Sequence, residues 1–266
     1  MSFPETLKSW RMARRFSQLD LALEAEVSAR HVSFLETGRA RPSAAMIARL
    51  GAALNLPMDA MNQMLTAAGF AAKYPARAWE DAEMAPIRAA IAHTLKAHAP
   101  YPALAINRLW VVEEMNGPAA VLFGGLGVSQ GDSLIDLMCS DALPPLVENW
   151  PEVAHHAAQR SRVESAAQGG IAELDRAVAH LSRVPRTGEA PLGPVVPTVL
   201  NLGGVRLSLF ATIAQLGTAE DLLLEDLKIE LYFPNDPETE AVLRGMALRS
   251  RISVPSEISR RSKRWR

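Results

Sequence analysis

The run "SQLDLALEAEVSARHVSFLETGRARPS", Ser17 to Ser43, concentrates side chains that can engage a nucleic acid. The Arg30 guanidinium is a fork that matches guanine O6 and N7, Ser33 can serve either base, and Ala29 or Phe34 can touch a thymine methyl. Gln18 and Ser28 stand where helices would open, and free backbone N–H groups with the positive end of a helix dipole favour phosphate there. Arg39 and Arg41 follow a glycine and offer flexible cations to a backbone. Three assignments stay open at this level. Arg30 addresses a base edge or a phosphate, Phe34 faces DNA or the core, and His31 flanks the turn or reaches a phosphate.

These side chains need a scaffold, and the residues up to Gly69 supply one. Apolar positions recur at helical spacing, punctuated by cap and stop residues rather than by strand-like alternation. The pattern predicts five short helices: Pro4 to Arg14, one after Ser17, one after Ser28 that stops at Gly38, one after Ser43, and one after Pro57 that ends at Gly69. Ser17, Ser28 and Ser43 are the expected caps. Val32 and Leu35, with Leu19 and Ala22 on the preceding helix, are expected to face the core. Two short helices joined by a tight turn near Val27 form the helix-turn-helix pattern, whose second helix lies in a major groove.

The remaining chain has a different texture. A mixed, Pro-containing linker at 71–84 precedes a helix from Ala85 to His98. "ALAIN" and "LWVVEEM" read as strands around a turn at Asn107 and Arg108, and "NGPAAVLFGGLG" as a short helix ending in glycines. A long helical section from Ser133 to Val184 follows. Two strands then join at Gly203 and Gly204, and "LKIELYF" alternates Leu227, Ile229, Leu231 and Phe233 against Lys228, Glu230 and Tyr232. An antiparallel sheet with one apolar face and helices on that side fits this order. A helix from Pro237 to Arg249 leads to a basic tail, 251–266, expected to be flexible.

Charge sharpens the division. Residues 1–70 hold 8 Lys and Arg against 6 Asp and Glu, residues 71–248 hold 13 against 22, and residues 249–266 hold 7 against 1. Basic ends around an acidic middle point to a polyanion at the termini. The tail either adds salt-sensitive affinity for DNA or is solvated and idle. No run of about 18 apolar residues is present, so no membrane partner is expected. The N-terminus lacks the apolar stretch of a signal peptide, and the expected location is cytoplasmic. A single cysteine, Cys139, allows no internal disulfide. His155 and His156 are adjacent, so on a helix they point about 100° apart and cannot share a metal as an i, i+4 pair does. No nucleophile elbow, metal motif or phosphate loop occurs, so neither catalysis nor a metal or cofactor is expected.

Residues 1–70 resemble the Xre-type helix-turn-helix of phage-repressor-like regulators, through "R…FSQLDLA…VSARHVSFLETGRARPS…IARLGAALNLP". The resemblance implies that Arg11 pairs with Glu36, that Gln18 touches the DNA backbone, and that Ala29, Arg30 and Ser33 read bases. Relatives often carry Gln where this chain has Ala29, so their operators do not transfer to it. Residues 85–250, through "YPALAINRLWVVEEMNGPAAVLFG", "NWPEVAHHAAQRSRVESA" and "LSLFATIAQLGTAEDLLLEDLKIELYFPNDPETEAVL", resemble the ligand-binding domain of MmyB-like regulators, a PAS-like fold. The implied architecture is an all-α five-helix domain followed by an α+β PAS-like domain with an antiparallel sheet and flanking helices.

The expected function is a homodimeric, double-stranded-DNA-binding transcription regulator, and the resemblance implies that a small apolar or amphipathic ligand, of fatty-acid type, governs it. Candidate pocket residues are Leu104, Ile106, Trp110, Val112, Asn116, Leu207, Leu209, Ile213, Ile229 and Leu231, with Asn116, Arg108, Arg160 or Arg206 as a polar handle. An ordinary filled core is the competing reading of the apolar set. The alternative function is a regulator whose C-terminal domain only dimerises or docks a protein.

Overall fold

The computed structural model describes residues 1–186, 195–217 and 219–252. Five helices open the chain: α1 (Phe3–Ala13), α2 (Gln18–Glu24), α3 (Ala29–Glu36), α4 (Ala44–Ala53) and α5 (Met58–Ala67). Three begin at serine caps, because a serine hydroxyl satisfies an N–H that the first turn leaves open. Ser17 accepts from Asp20 N, Ser28 from His31 N and Ser43 from Met46 N. Asp20 returns the contact by accepting Ser17 N at 2.8 Å, and bonds from the Ser17 hydroxyl and backbone hold its carboxyl below the usual range. Gly38, at φ +72°, ends α3 in a conformation that only glycine adopts without strain.

Leu7, Leu21, Val32, Leu35, Ile47, Leu50 and Met64 are fully buried at the centre of this bundle. Leu19 is not among them: it is 58 % exposed. The inward stripe of α2 passes through Leu21, Ala22 and Ala25, so Leu19 and Leu23 fall outside it.

After the bundle come α6 (Ala85–Ala97), β1 (Ala103–Ile106), β2 (Val112–Met115), α7 (Gly117–Gly125), α8 (Leu134–Met138), α9 (Trp150–Ala167), α10 (Ala172–Leu181), β3 (Thr198–Leu202), β4 (Val205–Gln215), α11 (Leu222–Glu225), β5 (Lys228–Pro234) and α12 (Pro237–Ile252). The helical section expected over Ser133 to Val184 is therefore broken. Pro144 and Pro145 form a 3-10 turn, Pro151 restarts the helix, and Gly169 and Gly170 separate α9 from α10. The strand expected at Leu109 starts only at Val112, because Trp110 has φ +59° and Asn107 Oδ1 accepts from Leu109 N and Val111 N. Residues 253–266, most of the expected basic tail, lie outside the described residues.

The five strands form one antiparallel sheet in the order β2-β1-β5-β4-β3. Its central strand departs from the expected two-faced pattern. Lys228 and Glu230 are 7 % and 3 % exposed, because β5 lies between β1 and β4 and is covered on both faces. Helix α6 lies against β1, β2 and β5, α7 against β1 and α12, and α12 against β5.

The chain gathers into two compact units. One contains Met1–Met84, His155–Val184 and Gln215–Leu227; the other contains the described parts of Ala85–Ala154, Pro185–Ala214 and Lys228–Arg266. Among the described residues, no helix is long and apolar enough to cross a membrane.

Candidate nucleic-acid interface

Helix α3 is held from behind and left open in front. Val32 and Leu35, both fully buried, fix it to the bundle, and Ala29 is half-buried against the same core. Arg30 is exposed, with its guanidinium 5.2 Å from the centre of the Phe34 ring. That stacking, between residues one helical turn apart, limits the wandering of a long cation, and among the described residues no carboxylate occupies its N–H fork. His31, Ser33 and Phe34 are half-buried, and Ser28, Arg39 and Arg41 are exposed.

The end of α3 is fastened electrostatically. Arg11 Nε donates to Glu36 Oε1 at 2.6 Å and Arg11 Nη2 to Glu36 Oε2 at 3.1 Å, while Arg11 Nη1 donates to Phe16 O. The pairing implied by the resemblance is thus present, and bidentate. Gln18 Nε2 also donates to Glu36 Oε2, at 2.7 Å. Burial pushes the Glu36 carboxyl up, but the bonds from Arg11 and Gln18 and the Arg11 charge outweigh it and hold the pKa below the usual range. One carboxylate therefore ties α1, the start of α2 and the end of α3 together. Gln18 is positioned by that bond at the mouth of α2, beside the helix with Arg30.

The turn between α2 and α3 carries a feature that spacing did not reveal. Glu26 adopts φ +51°, Val27 N donates to Ala22 O at 2.8 Å, and Arg49 Nη2 donates to the carbonyls of Ala25 and Glu26. Arg49 is 23 residues from the turn it closes, so no local signal pointed to it. A second such feature is Asn62, buried in α5. Its Oδ1 accepts from Lys73 N and Tyr74 N, and its Nδ2 donates to Tyr74 O. The segment after α5 is therefore strapped down where the sequence reads as a linker.

The candidate pocket residues occupy the sheet region. Leu104 and Ile106 stand opposite Glu230 and Lys228, whereas Ile229 and Leu231 stand opposite Ala105 and Ala103. Side chains alternate along a strand, so the two pairs lie on opposite faces of the sheet. Val112 pairs with Ile106, Leu207 with Leu200, and Leu209 with Thr198. Trp110 is buried in the β1–β2 loop, and Ile213 is 47 % exposed.

Asn116 is fully engaged within the protein. Its Oδ1 accepts from Ala103 N and Ala119 N, and its Nδ2 donates to Leu95 O and Tyr101 O. Of the other polar handles, Arg206 pairs with Glu148 at 3.2 Å and Asp236 at 3.4 Å, and Arg160 with Glu164 at 2.9 Å. A groove of about 330 Å³ between α4, α5 and the following segment, lined by Ala44, Ala48, Met61, Leu65, Phe70, Ala71 and Lys73, contains none of the candidate residues.

Comparison with known proteins agrees with this geometry at two places. Residues 7–61 match a family model described as helix-turn-helix, and residues 87–246 match one described as the MmyB-like transcription regulator ligand binding domain. No curated protein matches the chain.

Proposed function

From the premise that this chain belongs to the MmyB-like transcription regulators, with a DNA-binding helix-turn-helix and a ligand-binding domain, we propose how the two parts are used. Helix α3 enters the major groove, with Arg30 reading a base, Ala29, Ser33 and Phe34 completing the base-facing surface, and His31 at its flank. Gln18, Ser28, Arg39 and Arg41 hold phosphates. Two copies bind an inverted repeat whose half-sites lie about 10 bp apart, or a multiple of that, since two recognition helices must meet successive turns of the groove. The sheet domain takes an apolar or amphipathic small molecule of fatty-acid type, and its occupancy shifts the protein between arrangements that differ in DNA affinity. The protein acts in the cytoplasm as a regulator, not as a catalyst.

The observation that carries this reading is the exposed Arg30, stacked on Phe34, on a helix whose other face and far end are locked by Val32, Leu35 and the Arg11–Glu36 pair. A fork on a fixed helix discriminates between bases because its direction is set before DNA arrives. Arg30→Ala should weaken binding to a selected operator by about 1–3 kcal/mol and leave binding to random duplex nearly unchanged. Equal loss on both would make Arg30 a phosphate contact. For the ligand, native mass spectrometry of the purified protein before and after organic extraction should show a bound species that extraction removes. A protein without such a species that still dimerises would favour a C-terminal domain that serves only as a scaffold.

A further inference from the structure

We infer that α1 is a relay joining the turn between α9 and α10 to the recognition helix α3. Both contacts lie within one compact unit, and they use neighbouring residues of one short helix.

On one side, Trp10 seats against Gly169. A Cβ placed on Gly169 would stand 2.6 Å from the Trp10 ring, and Gly169 has φ +79°, so only glycine fits. Arg14, one turn along α1, lies 5.1 Å from the Trp10 ring centre and donates through Nη2 to Ala167 O at 3.0 Å and Asn55 O at 3.1 Å. Its Nε donates to Leu54 O, so this one guanidinium joins the end of α4 to the end of α9. On the other side, Arg11 grips Glu36 at the end of α3.

The turn is itself fastened: Gln168 Nε2 donates to Asp226 Oδ1 at 2.7 Å. The preceding residue, Glu225, accepts Met58 N with both carboxylate oxygens at 3.0 Å, supplying the cap that Pro57 cannot give α5. Residues 167–170 and 225–226 fall inside the span matched by the ligand-binding family model. A segment of that family's domain therefore packs directly on the DNA-binding helices.

An 11-residue helix is a rod of about 16 Å, and packed interfaces switch between arrangements rather than deforming smoothly. A displacement of the α9–α10 turn moves Trp10 and Arg14, and α1 carries that movement through Arg11 to Glu36, Gln18 and α3. The inference rests on the proposed role of α3 in binding DNA, but its test does not require DNA.

Hydrogen exchange of the full chain, followed by mass spectrometry, decides it. In Arg14→Gln and Gly169→Ala the amides of residues 29–36 should exchange at least about threefold faster than in the parent chain, while residues 103–106 of β1 keep their rates. Unchanged rates at 29–36 in both variants overturn the relay. If Gly169→Ala accelerates exchange throughout the chain, Arg14→Lys decides, with selective acceleration at 29–36 supporting the relay and none overturning it. A duplex selected by the parent protein from a random library gives the reciprocal reading. Its binding should slow exchange at 165–170 in the parent and not in Arg14→Gln, because coupling between sites runs both ways. If no duplex is enriched, the DNA-binding role of α3 fails, while the DNA-free rates still decide the relay.

Discussion

Glu36 in the helical bundle and Asn116 beside the sheet are both hubs with little solvent access, and they hold their surroundings by opposite means. Glu36 is charged and gathers two side chains, Arg11 and Gln18, from other elements. Asn116 is neutral and spends both donors and both acceptor positions on backbone groups of Leu95, Tyr101, Ala103 and Ala119. The charged hub is strong but depends on protonation. The neutral hub is indifferent to pH and knits the end of α6, β1 and the start of α7 into one corner.

The largest expected effect comes from breaking the charged hub. The Glu36 and Arg11 side chains are only 2 % and 12 % exposed, so Glu36→Ala leaves an enclosed guanidinium without its carboxylate, holding only Phe16 O. The expected loss is about 3–5 kcal/mol of stability in chemical denaturation. Because the folded-state pKa of Glu36 lies below its unfolded value, its contribution is complete above the unfolded pKa and fades as pH falls through the folded one. The difference between parent and variant should shrink in acid.

Asn116→Ala comes next, at about 2–3 kcal/mol, since four backbone groups lose a partner in a site 8 % exposed. This loss should be flat with pH, and a marked slope between pH 4 and about 7 would undo the contrast.

A smaller effect separates the two regions by strain. Glu26 at φ +51° and Trp110 at φ +59° share a backbone conformation that costs a side-chain-bearing residue free energy. Glu26 is exposed, so Glu26→Gly should gain about 0.5–1 kcal/mol in thermal unfolding. Trp110 is 4 % exposed, and Trp110→Gly should instead destabilise, because a buried indole is lost with the strain.

The smallest effect is expected on β2. Burial raises the Glu114 pKa, with the Arg88 charge opposing, so Glu114 contributes fully below its unfolded pKa and loses that contribution as pH rises through the folded value. Glu114→Gln should therefore stabilise slightly at neutral pH, and the gain should vanish in acid. That direction is opposite to the one expected for Glu36.

What the sequence reveals divides along similar lines. The caps at Ser17, Ser28 and Ser43 are legible because hydroxyl and amide lie three residues apart. The Arg11–Glu36 pair, 25 residues apart, is accessible only through the family resemblance. The contacts of Arg14 with Ala167 and of Glu225 with Met58 join residues 153 and 167 positions apart, and nothing in local spacing announces them. Leu19 reads as a core residue because α2, seven residues long, admits more than one apolar stripe until its neighbours choose. Lys228 and Glu230 read as a wet face because strand alternation cannot say that a strand will be central.

Asn62 has a consequence for anyone recombining such regulators. A chimera cut just after Gly69, where composition suggests a natural seam, would separate Asn62 from the Lys73 and Tyr74 backbone groups it clasps. The donor module would then carry a buried amide with nothing to hold. A joint placed beyond Tyr74 keeps the clasp with its own helix, so the transferable cassette is longer than the helix-turn-helix alone.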